Sequence, residues 1–186
     1  MIGFALCGSF CTVSSALAVL EKLCEIYEVQ GIVSEAVATT DTRFGRAKDT
    51  VTRIEALTGR PVIKSIVEAE PLGPKNPLDA LVIAPCTGNT LAKMANGITD
   101  STVTMAAKAH LRTNRPLLIT LASNDALSAN LANIGRLLSR KSVYFTPMRQ
   151  DDPVGKPHSL VADFSLIEAG LSTALAGRQI TPLFLL

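Results

Sequence analysis

Small hydroxyl and amide residues recur at the carboxyl ends of apolar runs. They stand in "CGSFCT" (7–12), at Ser34 in "VSEA", in "PCTGNT" (85–90) and in "ASND" (122–125). A group of this kind that opens a helix can receive an anion, because the first backbone N–H groups and the positive end of the helix macrodipole converge there. Thr87 and Thr90 can serve a phosphate with the atoms they would otherwise use as helix caps. A single such Ser or Thr is more often a plain N-cap, since these residues are strongly preferred at helix starts. Four clusters at successive strand ends favour a phosphate-bearing ligand instead. Neither a GxGxxG after the first apolar run nor a GxxxxGK[ST] is present. The expected ligand is therefore mononucleotide-like, held by hydroxyls rather than by a glycine loop.

The elements that position these clusters alternate in type. "IGFALCG" is a short strand, and "VSSALAVLEKLCEIYE" places Val13, Leu17, Leu20, Leu23 and Cys24 at helical spacing. "VQGIVSEAV" is a second strand. "FGRAKDTVTRIEALTG" is a helix with Gly59 as its stop, and 61–66 reads as a short third strand. Residues 70–77, "EPLGPKNP", must be irregular. "DALVIAP" is wholly apolar, as in strands buried on both faces of a parallel sheet. Helices at 89–97 and 101–112, the strand "RPLLITLA", the helix "ALSANLANIGRLLSR", the strand "SVYFTP", the loop "MRQDDPVGKP" and a closing helix over 158–176 follow. This alternation predicts a single domain over 1–186. Its class is α/β, a three-layer α/β/α Rossmann-like (flavodoxin-like), doubly wound parallel sheet with right-handed crossovers. In such sheets ligands bind beyond the carboxyl ends of the strands, where strand order reverses.

Composition narrows the function. The net charge of +2 comes without a Lys/Arg cluster, and two Tyr and six Phe leave little for stacking on bases, so no nucleic-acid footprint is visible. The first twenty residues hold no charged side chain, yet Gly3, Gly8, Ser9, Thr12, Ser14 and Ser15 interrupt them, which speaks against a signal peptide or membrane span. Cys7, Cys11, Cys24 and Cys86 lack zinc spacing, and a chain of 186 residues needs no disulfide staples. Reduced thiols in a cytosol and no metal are expected. An apolar content of 47% with 18% charged residues, and the tail "TPLFLL", suggest surface hidden in an oligomer or against a partner. Arg43, Lys75 and Arg149 are candidate ligand-facing cations by loop position only, with a cap or an Asp41 pair as the alternative for Arg43. Asp125 is a candidate N-cap for a helix from Ala126. His110 is expected to be solvated or at an interface.

The string "APCTGNTLAKMANGITDS", with "CGS" and "VSEA", resembles the phosphate-binding signature of a flavoprotein family. That family includes phosphopantothenoylcysteine decarboxylase, lantibiotic cysteine decarboxylases and the prenyl-FMN-making prenyltransferase. The resemblance implies FMN contacts at Gly8, Ser9, Ser34, Cys86, Thr87, Asn89, Thr90, Ser123 and Asn124, with Asn89 near the isoalloxazine. For Cys86 packing is favoured over nucleophilic use, since no base is visible beside it. "TRFG", "MAAKAHLR", "NDAL", "YFTP" and "QDDP" are similar to one branch of the family. Its members serve as one component of an NADP-linked oxidoreductase that makes a pyridine dicarboxylate during sporulation, in the cytoplasm of the mother cell. The implied partners are a small dicarboxylate substrate, a second, nicotinamide-binding component of the enzyme, and further copies of the chain as a trimer or a multiple of one.

Departures from the wider family set limits. The decarboxylases' catalytic His would fall in Pro71–Pro74, which has none, and their flap Cys is missing from "RQDDPVGKP". Ser123-Asn124 stands where the prenyltransferase has Arg-Glu, and Met105 where it has Arg. A decarboxylase is therefore disfavoured and no acid or base is assigned. Two readings stay open: a component whose flavin takes the hydride first, or an accessory one that completes its partner's active site without redox chemistry.

Overall fold

A computed structural model describes residues 1–75 and 77–185. Asn76, inside the proline-rich stretch, and Leu186, last of the apolar tail, lie outside them. In chain order the elements are β1 (Ile2–Leu6), a 3-10 turn (Phe10–Thr12) running into α1 (Val13–Ile26), β2 (Val29–Val33), α2 (Glu35–Thr39), α3 (Ala47–Thr58) and α4 (Ile66–Ala69). Then come β3 (Ala80–Cys86), α5 (Gly88–Ala95), α6 (Thr102–Leu111), β4 (Leu117–Ser123), α7 (Leu131–Leu138), β5 (Val143–Phe145), β6 (Met148–Arg149), β7 (Leu160–Ala162) and α8 (Ile167–Leu175). Among the described residues no helix is long and apolar enough to cross a membrane.

Strands β2, β1, β3, β4 and β5 pair in that order, all parallel. This is the flavodoxin-like order, which reverses direction between β1 and β3. The sheet is mixed rather than wholly parallel, because β7 pairs antiparallel with the last residues of β4, and β6 with β7. Period-2 alternation divides the core. Ile2, Phe4 and Leu6 of β1 pack with Leu17, Leu20 and Leu23 of α1 and Leu171 of α8; Leu81 and Ile83 of β3 pack with Leu91 of α5 and Val103 of α6 on the other face. Each such Leu, Ile or Phe stabilises the fold by about 1.5–3 kcal/mol. Gly59 ends α3 at φ +66°, a left-handed conformation open to glycine at little steric cost.

Four expectations change. The stretch 61–66 contributes one bridge, Ile63 with Ile32, because Ser65 and Glu68 form a capping box that starts α4. The helix expected from Ala126 starts at Leu131, since Ser128 and Asn130 N–H groups bond the Asp125 carbonyl and close a turn. The closing helix is only α8; 160–162 is a strand paired between β4 and β6, and Phe164–Leu166 a 3-10 turn capped by Asp163. His110 is not solvated. It is fully buried, with Nε2 2.8 Å from the Pro116 carbonyl oxygen and Nδ1 lacking a partner. The apolar tail pairs with its own chain, where Met148 and Leu183, and Leu185 and Met148, bond through their backbones.

Candidate functional site

Beyond the carboxyl ends of β1, β3 and β4 lies a cavity of about 710 Å³. Three segments wall it: Gly8, Ser9, Cys11 and Thr12 after β1; Thr87, Gly88 and Asn89 after β3; and Ser123, Asn124 and Asp125 after β4. The strap between β6 and β7 closes the remaining side with Asp151, Lys156 and Ser159. A smaller space of about 210 Å³, lined by Phe10, Phe44 and Arg53 among others, lies between α1, α2 and α3. The larger cavity stands at the switch point and is rich in donors, so it is the better ligand site.

Of the residues expected to hold a cofactor, Gly8, Ser9, Thr87, Asn89, Ser123 and Asn124 line this cavity together. Ser34, Cys86 and Thr90 are placed differently. Ser34 Oγ accepts from the Val37 N–H and caps α2. Cys86 is fully buried, and Thr90, 6% exposed, donates to Cys7 Sγ at 3.3 Å and accepts from Thr87 Oγ1 at 3.1 Å. Thr90 thus locks the β1 and β3 loops behind the wall. Burial pushes the Cys7 thiol up to about 11, against the smaller pull of Thr90, and pushes Cys86 well above the ordinary range. Both stay protonated and act as packing residues.

The three helix starts near the site differ in what they can still accept. At α2 the Ser34 hydroxyl accepts from the Val37 N–H, and the charge of Glu35 in the first turn opposes a further anion. At α5 the Thr87 hydroxyl accepts from Thr90 N–H, and the Asp125 carboxylate lies against Gly88. The turn leading into α1 has neither a side-chain cap nor an acidic residue in its first turn. Its leading amides lack intrahelical partners. Thr12 Oγ1 donates to the Ser9 carbonyl at 2.9 Å and also lies 3.2 Å from Ser9 Oγ; the Ser9 and Thr12 N–H groups bond the Cys7 and Ser9 carbonyls, so the hydroxyls and the amides of Gly8, Phe10 and Cys11 are what the loop can offer a ligand. An anion is best received there.

Two residues of the wall are not named as ligand contacts by the sequence pattern: Asp125, which stands in the "ASND" cluster but reads as an N-cap, and Lys156. Asp125 does not cap a helix; Ser123 Oγ and Asn130 Nδ2 donate to it, and these donors, the hydroxyl foremost, hold its carboxyl below the ordinary range. Lys156 Nζ pairs with Asp151 Oδ2 at 2.8 Å. The strap around it is bonded internally, through Gly155 N–H to Asp152 and Gln150 Nε2 to the Pro157 carbonyl, and is tied to the turn after β4 by Leu127 N–H to the His158 carbonyl. What could have pointed to Lys156 is the compact "QDDPVGKP", in which acid, proline, glycine and lysine make a self-closing loop. The candidate cations Arg43, Lys75 and Arg149 do not line the cavity. Arg43 stacks on Phe44 at 4.9 Å while Asp41 caps Ala47, Arg149 pairs with Asp163 at 2.6 Å, and Lys75 lies in a groove with Met1 and Gln30.

Comparison with known proteins agrees with this geometry. Residues 1–163 match the family model described as Flavoprotein. The chain is 49% identical over 183 residues to the B subunit of dipicolinate synthase from Bacillus subtilis, covering 98% of this chain and 92% of that one. It superposes on the crystal structure of the dipicolinate synthase B subunit from Bacillus halodurans with a TM-score of 0.91 and 44% identity, covering 100% and 95% of the two chains. DmrB of Burkholderia xenovorans, solved in complex with FMN, shares the fold at a TM-score of 0.69 and 19% identity over 94% of each chain. With its switch-point cavity and these relatives, the chain belongs to the flavoprotein family.

Proposed function

We propose that this chain acts as the B subunit of a dipicolinate synthase and holds FMN in the switch-point cavity. The observation behind this reading is the 49% identity along 98% of the chain to a protein of that name, with the cavity intact at the switch point. The reaction is loss of water from a hydroxylated tetrahydrodipicolinate followed by transfer of a hydride and loss of a proton, with NADP as final acceptor on the synthase's other, nicotinamide-binding polypeptide. Localisation in the mother-cell cytoplasm belongs to the same reading. So does assembly of several copies, for which exposed Phe44, Ile98 and Phe184 offer apolar surface.

The residues present fit the flavin. Its phosphate suits the uncapped start of the helix after β1, at Gly8, Ser9 and Thr12. Thr87, Asn89, Ser123 and Asn124 remain as polar contacts for the rest of the molecule. Bound there, FMN would supply a two-electron acceptor. Asp125, whose carboxylate lies against Gly88, disfavours a phosphate at the start of α5, because two anions would stand side by side. The strap shields the cavity from water on the β7 side.

The test is the visible absorbance spectrum of the purified chain after incubation with FMN and desalting, together with Ser9→Asp. Retained flavin in the parent chain and none in the variant is the expected result. A colourless parent chain, with the nicotinamide-binding partner present, would end the FMN reading and leave the accessory one. If the two polypeptides with NADP form no dipicolinate, the synthase reading itself falls.

A further inference from the structure

The cavity wall carries an anion that no cationic side chain among the described residues neutralises. Asp125 accepts from Ser123 Oγ and, through both carboxylate oxygens, from Asn130 Nδ2 at 2.9 Å. Both donors are uncharged. Among the described residues no Lys, Arg or His nitrogen lies within ion-pair distance of Asp125. The carboxylate is also held in place. Asn130 is 5% exposed, its Oδ1 accepts from Asn133 Nδ2 at 2.9 Å, and its own backbone N–H closes the turn on the Asp125 carbonyl. The start of α5 at Gly88 offers it partial positive charge, and no side chain offers a full one.

In the same lining Lys156 is the one cationic side chain among the described residues, and Asp151 on the same strap balances it. Lys156 is an exposed and flexible side chain, so a ligand carboxylate can replace Asp151 as its partner. The remaining unbalanced group is Asp125. A cavity with one fixed anion and one exchangeable cation in its wall matches a ligand that bears both signs.

We infer that Asp125 recognises a protonated ring nitrogen of the substrate while Lys156 takes one of its carboxylates, so that the cavity selects a cyclic amino or imino dicarboxylate over a plain dicarboxylate. This rests on the reading above, whose substrate already carries the ring nitrogen, and adds to it the two residues that read the nitrogen and a carboxylate. Each interaction is a charge-assisted hydrogen bond in a partly enclosed space.

Calorimetric titration of the full chain with two probes tests the inference. Piperidine-2,6-dicarboxylate has a protonated ring nitrogen; benzene-1,3-dicarboxylate has the same two carboxylates and no nitrogen. The parent chain is expected to bind the piperidine probe about tenfold or more tighter, the discrimination of one hydrogen bond to a charged group. Asp125→Asn removes that preference, whereas Lys156→Gln weakens both probes by a similar factor. Equal binding of the two by the parent chain overturns the inference and leaves the dicarboxylate reading standing; Asp125 would then await a cation from another chain. A preference that survives in Asp125→Asn also overturns it. Binding of neither probe removes the dicarboxylate reading and the inference together. The parent chain's selectivity needs no variant, so a misfolded Asp125→Asn does not decide the matter.

Discussion

Gly88→Ala has a cost that the structure sets directly. A Cβ at position 88 would press into Ser123 Oγ and lie 2.7 Å from both Asn130 Nδ2 and Asp125 Oδ1. None of the three turns away freely, because Ser123 and Asn130 both hold Asp125 and Asn133 holds Asn130. Overpacking costs about 1–3 kcal/mol. Loosening hydrogen bonds to a charged group adds about 1.5–3 kcal/mol. Better helix propensity at the first residue of α5 offsets at most about 1 kcal/mol. The expected loss is roughly 2–4 kcal/mol, or roughly 4–16 °C in Tm for a chain of this size. Gly135, exposed in α7, is the control, since a Cβ there meets nothing within 4 Å. Gly135→Ala should gain about 0.4–1 kcal/mol by restricting the unfolded chain. Thermal and urea unfolding followed by circular dichroism measures both. A Gly88→Ala protein as stable as the parent would refute the reasoning, as would equal losses in the two variants.

Two further outcomes follow from buried titratable groups. Burial, with Arg115 adding to it and the Pro116 carbonyl opposing it, holds His110 below its usual 6.5. The unfolded chain then takes up a proton near that value while the folded one does not, so Tm should be flat above about pH 6.5 and fall below it. His110→Gln should flatten the fall; an unchanged profile would locate the sensitivity elsewhere. Iodoacetamide at neutral pH should modify exposed Cys11 first, and Cys7 and Cys86 only on unfolding, as peptide masses would report. FMN should protect Cys11, which lines the cavity; labelling of Cys86 in the folded chain would contradict its burial.

Much of the architecture was legible in the chain itself. Alternation of apolar runs with helical periodicity located β1, α1, β2, α3, β3, α6 and β4, because their hydrophobic patterns are long enough to distinguish a period of 2 from one of 3.6. The same alternation put a ligand beyond the carboxyl ends of the strands, where their order reverses; that the reversal falls between β1 and β3 came from the observed pairing. The miscast stretches, 61–66, 126–130 and 158–166, are too short for a period to show, and hydrogen bonds to Ser65, Asp125 and Asp163 decided them.

Residue types and spacing thus determined the sheet, its helices and the strand ends that face a ligand, since these follow from local periodicity and from general rules of connection. Only the tertiary structure separated Thr87 and Asn89 on the wall from Thr90 and Cys86 behind it, because one residue's step along a strand or cap reverses which way a side chain faces. It alone brought Lys156 of the strap into one cavity lining with Asp125, 31 residues away in sequence, because long-range pairing of β7 with β4 carries that loop to the cavity. His110 entered the core for a similar reason: the Pro116 carbonyl, six residues on, receives its ring nitrogen where sequence pattern alone offered only an alanine-rich helix.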